Sequence, residues 1–259
     1  MNPPFEGHGP PRSEGADSLM DMPDFASALV LFAHPDDAEF MCGGTVAKWA
    51  REGCEVHYVV CTDGSAGSNE PGARREDVAP IREREQRAAA DVLGVKSVTF
   101  LGEPDGLLEV NAATRKKVCR EVRRLRPDVL IAPDPSRLWF PGRYINHWDH
   151  KQAGLLALTA VMPDAPTRVM FQELEEEGLE PYSIPNLWLS SNEWDAFVDI
   201  TETIETKVEA LAQHASEGGE AAAPFVRERA RELGEEAGFE YAEAFMTFKL
   251  TDDDEDEEG

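Results

Sequence analysis

A chain of 259 residues can bury one large core without disulfides or a structural metal to hold it together. Its 51 acidic residues against 25 basic ones give a formal charge of −26, the wrong sign for gripping phosphate backbones or anionic lipid, so nucleic-acid and membrane partners are disfavoured. Setting aside the seven consecutive acids from Asp252 to Glu258 still leaves a strongly acidic body, which reads as a solvated, solubilising surface.

Residues 1–24 carry many Pro and Gly and are expected to form a flexible leader. They lack the basic end and apolar stretch of a signal peptide, and no run approaches the ~18 apolar residues of a membrane span, so the sequence predicts a soluble, cytoplasmic protein. The fold begins with Ala28 to Ala33 as a strand, then a helix that runs from the residues after His34-Pro35-Asp36-Asp37 through Arg51 and stops at Gly53. The alternation continues with a strand over Glu55 to Cys61, a helix over Ile81 to Leu93, a strand over Ser97 to Leu101, a helix over Ala113 to Leu125 and a strand over Asp128 to Ala132. Such a rhythm means parallel βαβ units.

A polar, aromatic loop follows up to Asp149, then a helix from His150 to Val161 and strand candidates at Thr167 to Phe171, Asn186 to Leu189 and Phe197 to Ile200, some expected to pair antiparallel. Two helices, Thr203 to His214 and Pro224 to Leu233, complete the pattern. No internal repeat or interdomain linker interrupts it, so residues 25–250 are expected to form one doubly wound α/β domain with a C-terminal elaboration, followed by an acidic disordered tail at 251–259. Cys42, Cys54, Cys61 and Cys119 show no Cys-x-x-Cys spacing and are expected to be reduced core residues.

In open α/β sheets the active crevice lies beyond the carboxyl ends of the strands, and three segments there are unusually polar: His34-Pro35-Asp36-Asp37, Thr62-Asp63-Gly64-Ser65 and Asn146-His147-Trp148-Asp149-His150. Imidazole with carboxylate suits a borderline divalent ion such as zinc, which in catalytic sites takes about three protein ligands and keeps a position open for water. His34, Asp37 and His150 supply that set. Asp36 remains to take a proton from water, His147 to donate to an oxygen on which charge develops, and Asp149 to hold the His147 imidazole in one tautomer. Taken separately, His-Pro-Asp-Asp is equally a turn with an Asx-type helix cap, and His-x-x-His equally a surface pair. His8 falls in the leader and His57 inside a strand, so neither is a site candidate.

The ordered set Ala33-His34-Pro35-Asp36-Asp37, Gly43-Gly44-Thr45, Thr62-Asp63-Gly64, the helix from Arg82 to Gly94, Asp105-Gly106 and His147-Trp148-Asp149-His150 resembles the PIG-L/LmbE family of metal-dependent N-deacetylases. The likeness extends through Phe197 to Thr201, Lys207 and His214-Ala215-Ser216. It implies a Rossmann-like fold and zinc, or ferrous iron in some members, held by His34, Asp37 and His150, with Asp36 as general base and His147, oriented by Asp149, as oxyanion stabiliser or acid. It also implies that Arg82 and Asp105 hold substrate groups. Spacing alone equally allows Arg82 an exposed ion pair with Glu85, and Asp105 a turn with Gly106. The sequence departs from the family pattern at Ala38, where Glu is usual, at Trp148, where Pro is usual, and at Glu217, where Gln is frequent. Trp148, Trp139, Phe140 and Tyr144 either make a sugar-stacking rim or pack a long loop.

What the resemblance implies is hydrolysis of an N-acetyl group from an N-acetylglucosamine-type sugar or conjugate, a small-molecule partner, with release of acetate. The alternatives are an amidase cleaving a larger amide in a thiol-sugar conjugate, and a non-catalytic sugar-binding homologue. Relatives often assemble as trimers or hexamers, and no residue here decides the oligomeric state. A dinucleotide site is disfavoured, because the turn after the first strand lacks the spaced glycines and Gly43-Gly44 comes too late to cradle phosphate.

Overall fold

The computed structural model describes residues 24–140 and 144–250. The first strand, β1 (Ser27–Phe32), is buried on both faces, as a central parallel strand must be. Ala28, Val30 and Phe32 point into one hydrophobic core and Leu29 and Leu31 into the other. Around it run α1 (Asp37–Glu52), β2 (Glu55–Thr62), α2 (Arg75–Leu93), β3 (Ser97–Glu103), α3 (Ala112–Leu125) and β4 (Val129–Pro133). A hairpin of β5 (Trp139–Phe140) and β6 (Tyr144–Ile145) precedes α4 (Trp148–Thr159) and α5 (Gln172–Glu176). The chain then forms β7 (Asn186–Ser190), β8 (Ala196–Asp199), α6 (Ile204–Ala212), α7 (Ala223–Ala237) and β9 (Ala242–Lys249).

The main sheet has the order β3-β2-β1-β4-β7-β9-β8, parallel from β3 to β7 and antiparallel where β9 pairs with β7 and with β8. Buried residues of α1, α2, α6 and α7 fill one core, and those of α3, α4 and α5 the other. The expected doubly wound, mostly parallel α/β fold with a C-terminal antiparallel part is the one observed. Strand order reverses between β1 and β4, which opens a crevice at their carboxyl ends. The loops entering α1 and α4 descend into it.

Several expectations need correction. Thr167 to Phe171 is no strand: the carbonyls of Thr167 and Met170 accept hydrogen bonds from the buried guanidinium of Arg123, and Phe171 turns left-handed before α5. The second helix starts at Arg75, not Ile81, because Pro80 in its second turn forfeits only one backbone bond and does not end it. Strand β9 was not foreseen. Its apolar alternation is broken by Glu243, a buried acid that accepts hydrogen bonds from the backbone N–H of Gly44 and Thr45 at 3.0 and 2.7 Å and pairs with Lys207 Nζ at 2.5 Å. The aromatic stretch before α4 folds into the short hairpin. The leader with His8 and the acidic tail lie outside the described residues apart from Asp24, as do the side chains of Phe140 and Tyr144. All four cysteines are buried and free.

Close approach of Ile200 explains the second glycine of the pair. Helix α1 is kinked at Cys42, where φ is −149°, and a Cβ on Gly44 would meet three side-chain carbons of Ile200 at 2.7 to 2.8 Å. Gly44→Ala is therefore expected to destabilise the protein by about 1–3 kcal/mol, through overpacking between α1 and the end of β8. Thermal unfolding reads this as a drop of about 5 °C in Tm, and an unchanged Tm would show that the helix can move aside.

Candidate metal centre

The chain leaves β1 at His34 and enters α1 at Asp37, while His147 caps α4 and Asp149 and His150 lie in its first turn. The two segments meet. Asp37 stands between two imidazoles, with Oδ1 3.0 Å from His150 Nε2 and Oδ2 3.4 Å from His34 Nδ1. The donor atoms of His34, Asp37 and His150 all lie within 4.8 Å of one another. Asp37 Oδ2 is oriented further by accepting the His34 backbone N–H at 2.8 Å.

The outward nitrogens of the two rings are also engaged. His34 Nε2 lies 3.1 Å from Asp105 Oδ1 and 3.3 Å from Asp149 Oδ2, and His150 Nδ1 lies 2.9 Å from Asn146 Oδ1. Metal-binding histidines characteristically donate their second N–H to such oxygens, which fixes the tautomer and leaves the other nitrogen for the ion. The donor set thus fits a divalent cation. The donor atoms of a second group, His34 with His147 and Asp149, also lie within 4.8 Å of one another. Its carboxylate, however, already accepts the backbone N–H of Gly106 at 2.7 Å and of Leu108 at 3.2 Å and is fully buried.

Asp36 holds φ 103°, a left-handed conformation that costs a non-glycine residue on the order of 1–3 kcal/mol and is tolerated where function needs it. Its side chain makes no cap hydrogen bond to α1, so the Asx-cap alternative does not hold. Instead its backbone N–H donates to Gln86 Oε1 at 2.8 Å, and its carboxylate lies 3.4 Å from Arg82 Nη2. Burial and the neighbouring charge of Asp37 push the Asp36 carboxyl well above the ordinary carboxylate range, against the pull of Arg82. Burial would raise Asp37 too, yet His150 and His34 hold it well below that range. Burial would also raise Asp105, but the hydrogen bond and charge of His34 bring it to about 2.

His147 Nδ1 accepts the backbone N–H of Asp149 at 3.2 Å, which leaves Nε2 as the protonated nitrogen of the neutral ring. Asp149 meets His147 through its amide, whereas its carboxylate serves His34 and the loop after β3. Arg82 is likewise not the exposed partner of Glu85. Its side chain is 4 % exposed, and its guanidinium meets Glu217 Oε1 at 2.7 Å, Asp36, and the carbonyls of Pro35 and Gly64. Asp105 does more than shape a turn, since Oδ2 accepts the Ala66 N–H at 2.9 Å and Oδ1 faces His34. His57 packs inside β2 against Ser97.

Asn146, Gln86 and Glu39 were not anticipated as site residues. Asn146 and Gln86 each stand four positions from a candidate, Asn146 before His150 and Gln86 after Arg82, and that helical spacing is the signal that could have found them. Glu39 accepts from Gln86 Nε2 at 3.0 Å and faces His214 Nε2 at 3.2 Å. It is buried where the family pattern places its acid one residue earlier. A cleft of about 650 Å³ runs from Asp37 and His150 past Phe40, Met41 and Trp194 to Phe225. Trp148 does not line it; its exposed ring carries Lys151 Nζ at 4.9 Å.

Comparison with known proteins finds deacetylases. The PIG-L pattern, GlcNAc-PI de-N-acetylase, matches residues 29–161. The chain is 32 % identical over 225 residues to the diacetylchitobiose deacetylase of Thermococcus kodakarensis, covering 85 % of this chain and 82 % of that one. It is 30 % identical over 200 residues to a probable N-acetyl-α-D-glucosaminyl L-malate deacetylase 2 of Bacillus anthracis, covering 73 % and 80 %. The N,N'-diacetylchitobiose deacetylase of Pyrococcus horikoshii superposes with a TM-score of 0.80 at 32 % identity, covering 87 % and 85 %. A hydrolytic α/β deacetylase is the class this fold and these relatives define. The chain belongs to the PIG-L (LmbE-like) family of N-deacetylases. No helix among the described residues is long and apolar enough to cross a membrane.

Proposed function

We propose that this protein hydrolyses the N-acetyl group of an N-acetylglucosamine-type sugar or conjugate, with His34, Asp37 and His150 holding zinc, or ferrous iron as the alternative. One observation carries the reading: both imidazoles turn one nitrogen to Asp37 and the other to a side-chain oxygen, beside an aspartate that caps no helix. A divalent cation in that set supplies Lewis-acid polarisation of an amide carbonyl and acidification of water.

The remaining work falls to the chain itself. Asp36, whose side chain makes no bond to α1 and is raised in basicity by burial, takes the proton from the attacking water. His147, with Nε2–H available, donates to the oxygen on which charge develops. Asp105 and Asp149 fix the His34 ring, and Arg82 steadies Asp36. The cleft beside His150 receives the rest of the conjugate, and its volume is typical of sites that enclose a whole small ligand.

That volume exceeds what an acetyl group needs, so a bulky acyl conjugate is the second reading. Acetate release over a panel of N-acetylated amino sugars, set against bulky acyl amides of the same amines, decides between them. Turnover of the acetylated sugars supports deacetylation. Cleavage of the bulky amides alone would replace it with the amidase, and binding without turnover of either would leave only a sugar-binding homologue.

A further inference from the structure

Arg82 sits beside the proposed general base with its guanidinium taken up by protein groups. Its side chain is 4 % exposed, whereas that of Glu217, which holds Nη1 at 2.7 Å, is 26 % exposed. The acid, not the base, faces outward. Glu217 is also held firmly in place. It ends a single helical turn, Ala215–Glu217, whose Ser216 donates from its backbone N–H and its Oγ to Glu85 at 2.9 and 2.5 Å. On the other side, His214 abuts buried Glu39, and the Glu217 N–H returns to the His214 carbonyl at 3.1 Å. The loop after β2 closes over the pair so tightly that a Cβ on Gly67 would lie 2.4 Å from Arg82 Nη1 and 2.6 Å from Glu217 Oε1.

From this arrangement we infer that Glu217 is a specificity-determining residue: it occupies Arg82 and shows a carboxylate in its place, so the site selects uncharged amino sugars over phosphorylated or carboxylated ones. The inference rests on the deacetylase reading and narrows its substrate class. Asp36, Asp37, Asp105, Asp149 and Glu217 bring five carboxylates to this site against the guanidiniums of Arg82 and Arg75, and Glu217 is the most exposed of the five, so an anionic substituent beside Arg82 meets that carboxylate first. Glu217 acts through Arg82 and through the field of its own carboxylate.

The test compares holoenzyme with Glu217→Gln, which removes the charge and keeps the shape, with Glu217→Asp, which keeps the charge, and with the remote exposed control Val169→Ala. N-acetylglucosamine and its 6-phosphate are the substrates for acetate release, and glucosamine and its 6-phosphate the ligands for calorimetry. In Glu217→Gln the preference for the neutral compound, as the ratio of kcat/KM and as the ratio of Kd, falls about tenfold at low salt, and by much less at about 1 M salt, where screening is short-ranged. Glu217→Asp and Val169→Ala keep the wild-type ratio within about twofold of its value. An unchanged ratio in Glu217→Gln, or equal loss on both compounds, would reduce Glu217 to a structural clamp and overturn the inference. If wild-type protein releases no acetate from either substrate, the deacetylase reading fails, and the calorimetric ratio alone then decides for or against the selectivity.

Discussion

Replacing Asp36 by Asn lowers acetate release about a thousandfold while bound metal and fold are retained, the loss expected when a general base is removed and the rest of a site is kept. The choice of Asn matters. Position 36 has φ 103°, where Asn is among the better-tolerated residues, so the backbone donation from residue 36 to Gln86 at 2.8 Å survives. The carboxamide oxygen still accepts from Arg82, and α1 loses nothing because the Asp36 side chain never capped it. What disappears is the proton acceptor. Acetate release gives kcat, elemental analysis the metal content and circular dichroism the fold; activity within tenfold of wild type, with metal retained, would move the role of base to another group.

Much of this site was legible because its chemistry sits at strand ends, where the residue types speak for themselves. His34, Asp37 and His150 come together as the spacing of two loops on a parallel sheet suggests, and His147 lies where an early start of α4 puts it. The second sphere was not legible. Which nitrogen of His34 faces Asp105, and whether Asp149 reaches His147 by carboxylate or by amide, depends on the register of loops that no periodicity encodes. Arg82 illustrates the limit best: spacing offered Glu85 one turn away, yet the guanidinium is buried toward Asp36 and Glu217, residues 46 positions before it and 135 after it. Strand β9 escaped for a related reason, since its buried acid makes sense only once Lys207 and the α1 kink stand beside it. Thr167 to Phe171 shows the converse, a β-branched and aromatic run whose carbonyls are claimed by Arg123 before any strand can use them.

Metal removal separates the two overlapping ligand groups that share His34. Chelator-treated protein is expected to lose essentially all acetate release and to regain it with a divalent ion. Loading should raise Tm by about 10 °C if the ion stands near a thousandfold above its Kd. The metal-free protein should still fold, because Asp37 then pairs with His150 at 3.0 Å and His34 at 3.4 Å rather than facing like charges. His150→Ala should abolish both the bound metal and the ion-dependent rise in Tm. His147→Ala should keep both and lose rate alone, by about 10²- to 10³-fold, as removal of a donor to a developing oxyanion does. The reverse pattern, with metal held by His150→Ala and lost from His147→Ala, would place the cation on His34, His147 and Asp149. Asp149 would then have to turn from the amides of Gly106 and Leu108, leaving the buried Leu108 N–H and the part-buried Gly106 N–H without that acceptor, and that cost is the physical reason to expect the first outcome.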